Sequence, residues 1–175
     1  MFQIGAKEQP GSESRDRSSR SVVELVANEI DEWYRDFYLW SRGLCSPDKG
    51  NIRPIYDVLA RDFRVVLTSG DTLDKQDYWS RLVGLYGIRR GHPPSNIVNL
   101  SLRPVEAEHV LATFDLLKQG IRKKKVDSAL FRRSSESRSG VVWVYVHESG
   151  HEIDAFPELA SMPRVLGPDG AGGDL

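Results

Sequence analysis

The stretch from Val22 to Trp79 limits the fold more than any other part of this chain. Val23, Val26, Ile30, Trp33, Phe37 and Trp40 recur at steps of three and four, the spacing of one face of a long helix. Ser21, with Glu24 three residues on, supplies a capping-box start, and Gly43 after Arg42 supplies the stop. A loop with Pro47 and Gly50 leads to a second helix at about residues 51–60, where Pro54 suits the first turn. The period then shortens to that of a strand over 63–68. Asp74 caps a third helix expected over 75–89. Four strand patterns follow at 97–105, 109–119, 125–133 and 141–148, joined by short connections containing Pro104, Gly120 and Gly140. Helices first and a strand meander afterwards predict an α+β fold, a curved antiparallel sheet with three helices on one side.

At 175 residues a single domain is expected, spanning 21–156, with flexible tails at 1–20 and 157–175 where Ser, Arg and Gly dominate. A formal net charge of −1 gives no reason to expect a nucleic-acid partner. The sequence has no apolar run of membrane-spanning length and no signal-peptide core, so no membrane partner is expected. Cys45 is the only cysteine and cannot pair internally, which favours a reducing, cytoplasmic setting.

The last strand is apolar at both phases. Val141, Trp143, Tyr145 and His147 alternate with Val142, Val144, Val146 and Glu148. Strict alternation predicts that both faces are covered, one by helices and the other by a second copy of the chain. A homodimer through the sheet is the expected assembly.

Three passages in order resemble the ketosteroid isomerase / nuclear transport factor 2-like superfamily, in particular its small bacterial, polyketide cyclase-like members. They are Glu29-Ile30-Asp31-Glu32-Trp33, then Leu59-Ala60-Arg61-Asp62-Phe63 with Gly70 before Tyr78-Trp79, and Trp143 to Ser149. The resemblance covers roughly residues 22–149. It implies a cone: a strongly bent, barrel-like antiparallel sheet around three helices, with a pocket at the open end and frequent dimers through the outer sheet face. The superfamily hosts isomerases, lyases and binding modules alike, so the fold alone assigns no reaction.

Catalytic relatives carry a carboxylate where this chain reads Val65-Val66-Leu67-Thr68, a departure that counts against their chemistry here. Asp115 stands in an otherwise apolar strand. On a cavity wall it would act as acid or base; facing a cross-strand lysine or arginine it would be structural. His147 shares a phase with Trp143 and Tyr145 and is either a proton shuttle or a strand-end donor. Tyr34 and Tyr38, one turn apart, offer hydroxyls to a pocket or fill the core. The expected pocket set is Tyr34, Tyr38, Tyr86, Asp115, Trp143 and His147, with Asp115, His147 and Tyr38 as the catalytic candidates. The basic segment Arg122 to Lys125, with Arg132 and Arg133, reads as a solvated hairpin tip. Opposite-facing His147 and Glu148 give no metal site, and no cofactor motif is present. These residues favour a binding protein for a small apolar ligand. A cofactor-free isomerase or lyase and a dimeric interaction module are the alternatives.

Overall fold

The first helix, α1 (Val22–Arg42), starts and stops where its sequence dictates. The Glu24 N–H donates to the Ser21 hydroxyl at 3.2 Å, and the Ser21 N–H donates to Glu24 Oε2 at 2.8 Å. Gly43 ends the helix in the left-handed region at φ 65°, which costs a glycine nothing. The computed structural model describes residues 20–118 and 123–152. After α1 come α2 (Arg53–Asp57), β1 (Leu59–Val66), β2 (Thr72–Asp74) and α3 (Lys75–Gly84). Four long strands follow: β3 (Ser95–Glu106), β4 (His109–Lys118), β5 (Lys123–Arg133) and β6 (Val141–Glu152). The tails expected at 1–20 and 157–175, the domain end at 156 and Arg122 of the basic segment lie outside the described residues, Arg20 excepted.

Among the described residues the sheet has six strands in the order β2-β1-β6-β5-β4-β3. It departs from the expectation in two ways. β1 runs parallel to β6, so the sheet is mixed rather than antiparallel. A hairpin forces antiparallel pairing, but β1 reaches β6 only through the rest of the chain, and that long connection leaves either direction open. The sheet is also open, with β2 and β3 as its edges, and lacks the strong curl that the cone implied.

Two helices are shorter than their periodicity suggests, because tertiary bonds win over local propensity. α2 ends at Asp57, since Val58 and Leu59 already belong to the sheet: the Trp143 N–H donates to the Val58 carbonyl at 2.9 Å and Leu59 pairs with Trp143. α3 ends at Gly84, and the chain beyond it turns to the end of α1. The Gly87 N–H donates to the Trp40 carbonyl at 3.1 Å and the Arg89 N–H to the Ser41 carbonyl at 2.8 Å. These bonds satisfy carbonyls that a helix end leaves open. The Trp40 indole N–H adds a bond to the Leu82 carbonyl at 2.8 Å, tying α1 to α3. Among the described residues no helix is long and apolar enough to cross a membrane.

The core lies between α1 and the inner sheet face, where Val26, Ile30, Trp33 and Trp40 meet Val110, Phe114, Phe131 and Trp143. A buried acid of α1 sits in it. Glu29 is fully buried, and its Oε1 accepts from the Trp143 indole at 3.1 Å. Burial pushes its carboxyl up from 4.5 to about 7, against the opposing pull of Ser139, Trp143 and Arg138. The folded protein therefore holds a proton that the unfolded chain releases above about pH 4.5. Stability contributed by that proton is present at low pH and lost as pH rises through about 7. Urea melts at several pH values check this: from pH 5 to pH 8 the wild type should lose stability on the order of 1–3 kcal/mol more than Glu29→Gln, which mimics the protonated form. Equal slopes would contradict it.

Candidate functional site

A cavity of about 710 Å³ opens between α1, α3 and the inner face of the sheet. α1 contributes Trp33, Tyr34, Phe37 and Tyr38 to its wall, an aromatic row that follows from helical spacing. Tyr78 and Leu82 of α3 face them, and Leu116, Lys125, Glu148 and Gly150 come from the sheet. The segment after α3 adds Arg89, His92 and Pro93 at the rim.

Next to this wall, β5 and β6 bring together an ionic cluster that the sequence reading missed. Asp127 and Glu148 are directly paired across the two strands, so their carboxylates share the inner face. Lys125, two residues before Asp127, has the same phase and sits between them. Its ammonium lies 3.1 Å from Asp127 Oδ2 and donates to Glu148 Oε1 at 2.8 Å. The Tyr34 hydroxyl donates to Asp127 Oδ2 at 2.6 Å. Asp127 Oδ1 is buried with no hydrogen-bond partner among the described residues.

Burial raises the Asp127 carboxyl above its ordinary value; Lys125 and Tyr34 oppose this and Glu148 adds to it. The Tyr34 phenol is held well above its usual range by burial and then by Asp127. Tyr78 is raised as well, by burial first and then by Glu148 and Asp127. Both tyrosines are therefore neutral donors at any physiological pH. Chemically, the cluster offers a buried carboxyl, a phenol and a carboxylate on the cavity wall, the ingredients of proton transfer or of polar ligand recognition.

Of the residues singled out from the sequence, Tyr34 and Tyr38 line the cavity and the other four do not. Asp115 alternates with Phe114 and Leu116 and so points out of the opposite face. There Lys124 Nζ donates to it at 3.0 Å and Asn99 Nδ2 at 2.9 Å. Asn99 reaches it from a break in the β3–β4 register, in a left-handed conformation that asparagine tolerates. His147 is exposed on the same outer face. Trp143 is buried behind the cavity wall, its ring 5.5 Å from that of Trp33. Tyr86 packs edge-on against Trp40 at 4.7 Å and donates to the Cys45 carbonyl at 2.7 Å. Tyr38 meets Arg42, whose Nη1 donates to its hydroxyl at 2.6 Å.

The face assignment of β6 is corrected by a bulge. Leu130 pairs with Tyr145 but Phe131 with Trp143, leaving Val144 as an extra residue. Upstream of it Val141 and Trp143 are buried; downstream the phase flips and Val146 is buried while Tyr145 and His147 are exposed. Strict alternation put Glu148 on the face opposite Trp143, and the bulge brings both inside. The basic segment is neutralised among its described side chains: Lys124 pairs with Asp115, Lys125 with Asp127 and Glu148, Arg132 with Asp62 and Arg133 with Glu108. Burial raises the Cys45 thiol, which disfavours the reactive thiolate.

No protein-family model matches this sequence, and no curated protein is significantly similar to it. Solved structures do share its architecture. An NTF-2-like protein of unknown function from Pseudomonas aeruginosa superposes with a TM-score of 0.61 at 18% identity, covering 73% of this chain and 98% of that one. A protein of unknown function from Pectobacterium atrosepticum gives 0.54 at 12% identity, covering 75% of this chain and 91% of that one. The order of helices and strands and the extent of these superpositions agree on one conclusion: the chain has the nuclear transport factor 2-like fold.

Proposed function

We propose that the protein binds a small organic molecule in the cavity between α1, α3 and the sheet. The observation that carries this reading is a cavity of about 710 Å³ walled by aromatic side chains beside a few fixed polar groups, the usual make-up of a ligand site. Nile red, a neutral dye that brightens in apolar surroundings, is a direct probe. The wild type should bind it, and Gly150→Phe, which fills the cavity, should lose most of that binding. A Cβ at Gly150 meets only Thr68 Cγ2 at 3.9 Å, an ordinary contact, so the variant should fold. Absence of dye binding, or equal binding by both proteins, would refute the proposal.

The ionic cluster favours a second reading, acid–base chemistry on the bound molecule without a cofactor. Glu148 lies on the wall as an acceptor and Tyr78 lines it as a protonated donor, while the Tyr34 hydroxyl is already committed to Asp127. The Glu148–Tyr78 pairing is suited to moving a proton next to a carbonyl. Incubated with 2-acetylnaphthalene in heavy water, the protein should then speed deuterium uptake at the methyl group, and Glu148→Gln should abolish the effect. Uptake at the uncatalysed rate would leave the binding role alone.

For assembly, the proposal is a homodimer through the outer sheet face. Leu111, Leu130 and Tyr145 form a transverse apolar row there, with Arg103 and Arg64 at its ends. Tyr145 is 39% exposed, which leaves this row open to a second copy of the chain. Sedimentation equilibrium should give twice the chain mass for the wild type and the chain mass for Tyr145→Lys. A monomeric wild type would end this proposal.

A further inference from the structure

The charges around the cavity are unevenly balanced. Among the described residues, five Lys and Arg contribute to its lining, against one carboxylate-bearing residue, Glu148. Lys125 consumes Glu148 and Asp127, and Lys124 is paired with Asp115 on the outer face. The remaining three, Arg42, Arg81 and Arg89, have no ion pair among the described residues. The contrast with the basic segment of β5 is informative, because each described side chain there has found an acid.

Two of these guanidiniums are also held in place. The Arg89 Cζ lies 5.4 Å from the centre of the Phe37 ring, and the Arg42 Cζ lies 5.0 Å from that of Tyr38. Contact with an aromatic fixes the guanidinium while leaving most of its N–H edge available. Arg42 also faces the negative end of the α1 dipole, which accounts for its position but uses few of its donors. Arg81 reaches the lining from α3, across the cavity from the α1 aromatics.

We infer that the cavity takes an organic carboxylate with a flat apolar body: the ring system lies along the α1 aromatics and the carboxylate is held by Arg81 and Arg89, with Arg42 beside them. This inference rests on the binding role proposed above and narrows the ligand's chemical class. A carboxylate accepts charge-assisted hydrogen bonds from these guanidiniums, which a neutral apolar molecule has no charge to match. A cationic ligand is disfavoured by the same groups.

Calorimetry with two probes of equal body tests it: 1-naphthoate, an anion, and 1-naphthalenemethanol, its neutral counterpart. At pH 8 and low salt the wild type should bind naphthoate about tenfold more tightly or better, as expected for hydrogen bonds to a charged group. High salt should erode the preference. The double variant Arg81→Gln/Arg89→Gln should lose it, while Arg61→Gln, exposed and outside the lining, should keep it. Thermal melts establish that each variant is folded. Equal affinity of the wild type for both probes, or a preference that survives the double variant, overturns the inference and leaves the binding role standing. Binding of neither probe, with no Nile red signal, overturns both.

Discussion

Trp143 is the point at which the separate parts of the fold are joined. Its backbone N–H holds the Val58 carbonyl, fixing the corner where α2 gives way to β1. Its indole N–H reaches Glu29 in α1, and its ring packs 4.3 Å from Phe131 and 5.5 Å from Trp33. One residue thus sets the distance between the long helix and the sheet and the register of the parallel strand pair. The buried Glu29 is the electrostatic cost of this arrangement. An acceptor is needed for an indole donor out of reach of water, and a carboxyl raised to about 7 supplies it with little charge at slightly acid pH.

Immediately after Trp143, the bulge at Val144 decides which side chains meet the cavity. Without the extra residue, Tyr145 and His147 would share the inner face with Trp143 and Glu148 would point outward. With it, Glu148 comes to face Asp127, and a lysine is required between them. Two carboxylates directly opposed on neighbouring strands repel each other; Lys125, at 3.1 and 2.8 Å, makes the pair tolerable. Structural necessity and chemical opportunity coincide there, since the groups that neutralise each other also form a polar end to an aromatic cavity.

The order of elements was readable because periodicity and caps act locally. The Ser21–Glu24 box, Gly43 and the Asp74 cap each sit where the sequence puts them. What was not readable depends on pairing at long range. Bulges leave little mark on a strand as apolar as Val141 to Val146, so plain alternation keeps His147 on the face of Trp143 and Glu148 on the other. Asp115 attracted notice because its strand neighbours are apolar, yet alternation alone does not say which face of β4 is the inner one. Asp127 and Lys125 carried a usable signal: both are in phase with Ala129 and Phe131, the buried set of β5. That signal is masked because Lys125 ends a basic run that resembles a solvated hairpin tip. The aromatic wall from α1 was half visible, in Tyr34 and Tyr38, because helical spacing survives folding unchanged.

The tie between α1 and the segment after α3 has a consequence for how such a cavity can change. Its span is set by main-chain carbonyls: Trp40 and Ser41 accept from Gly87 and Arg89, and Leu82 accepts from the Trp40 indole. Lining side chains, such as those of Leu85 or Leu116, carry none of those bonds. Exchanging them would remodel the chamber while its frame stays put. A scaffold built this way can change the shape of its cavity through single substitutions, because the bonds that set the span are separate from the side chains that line it.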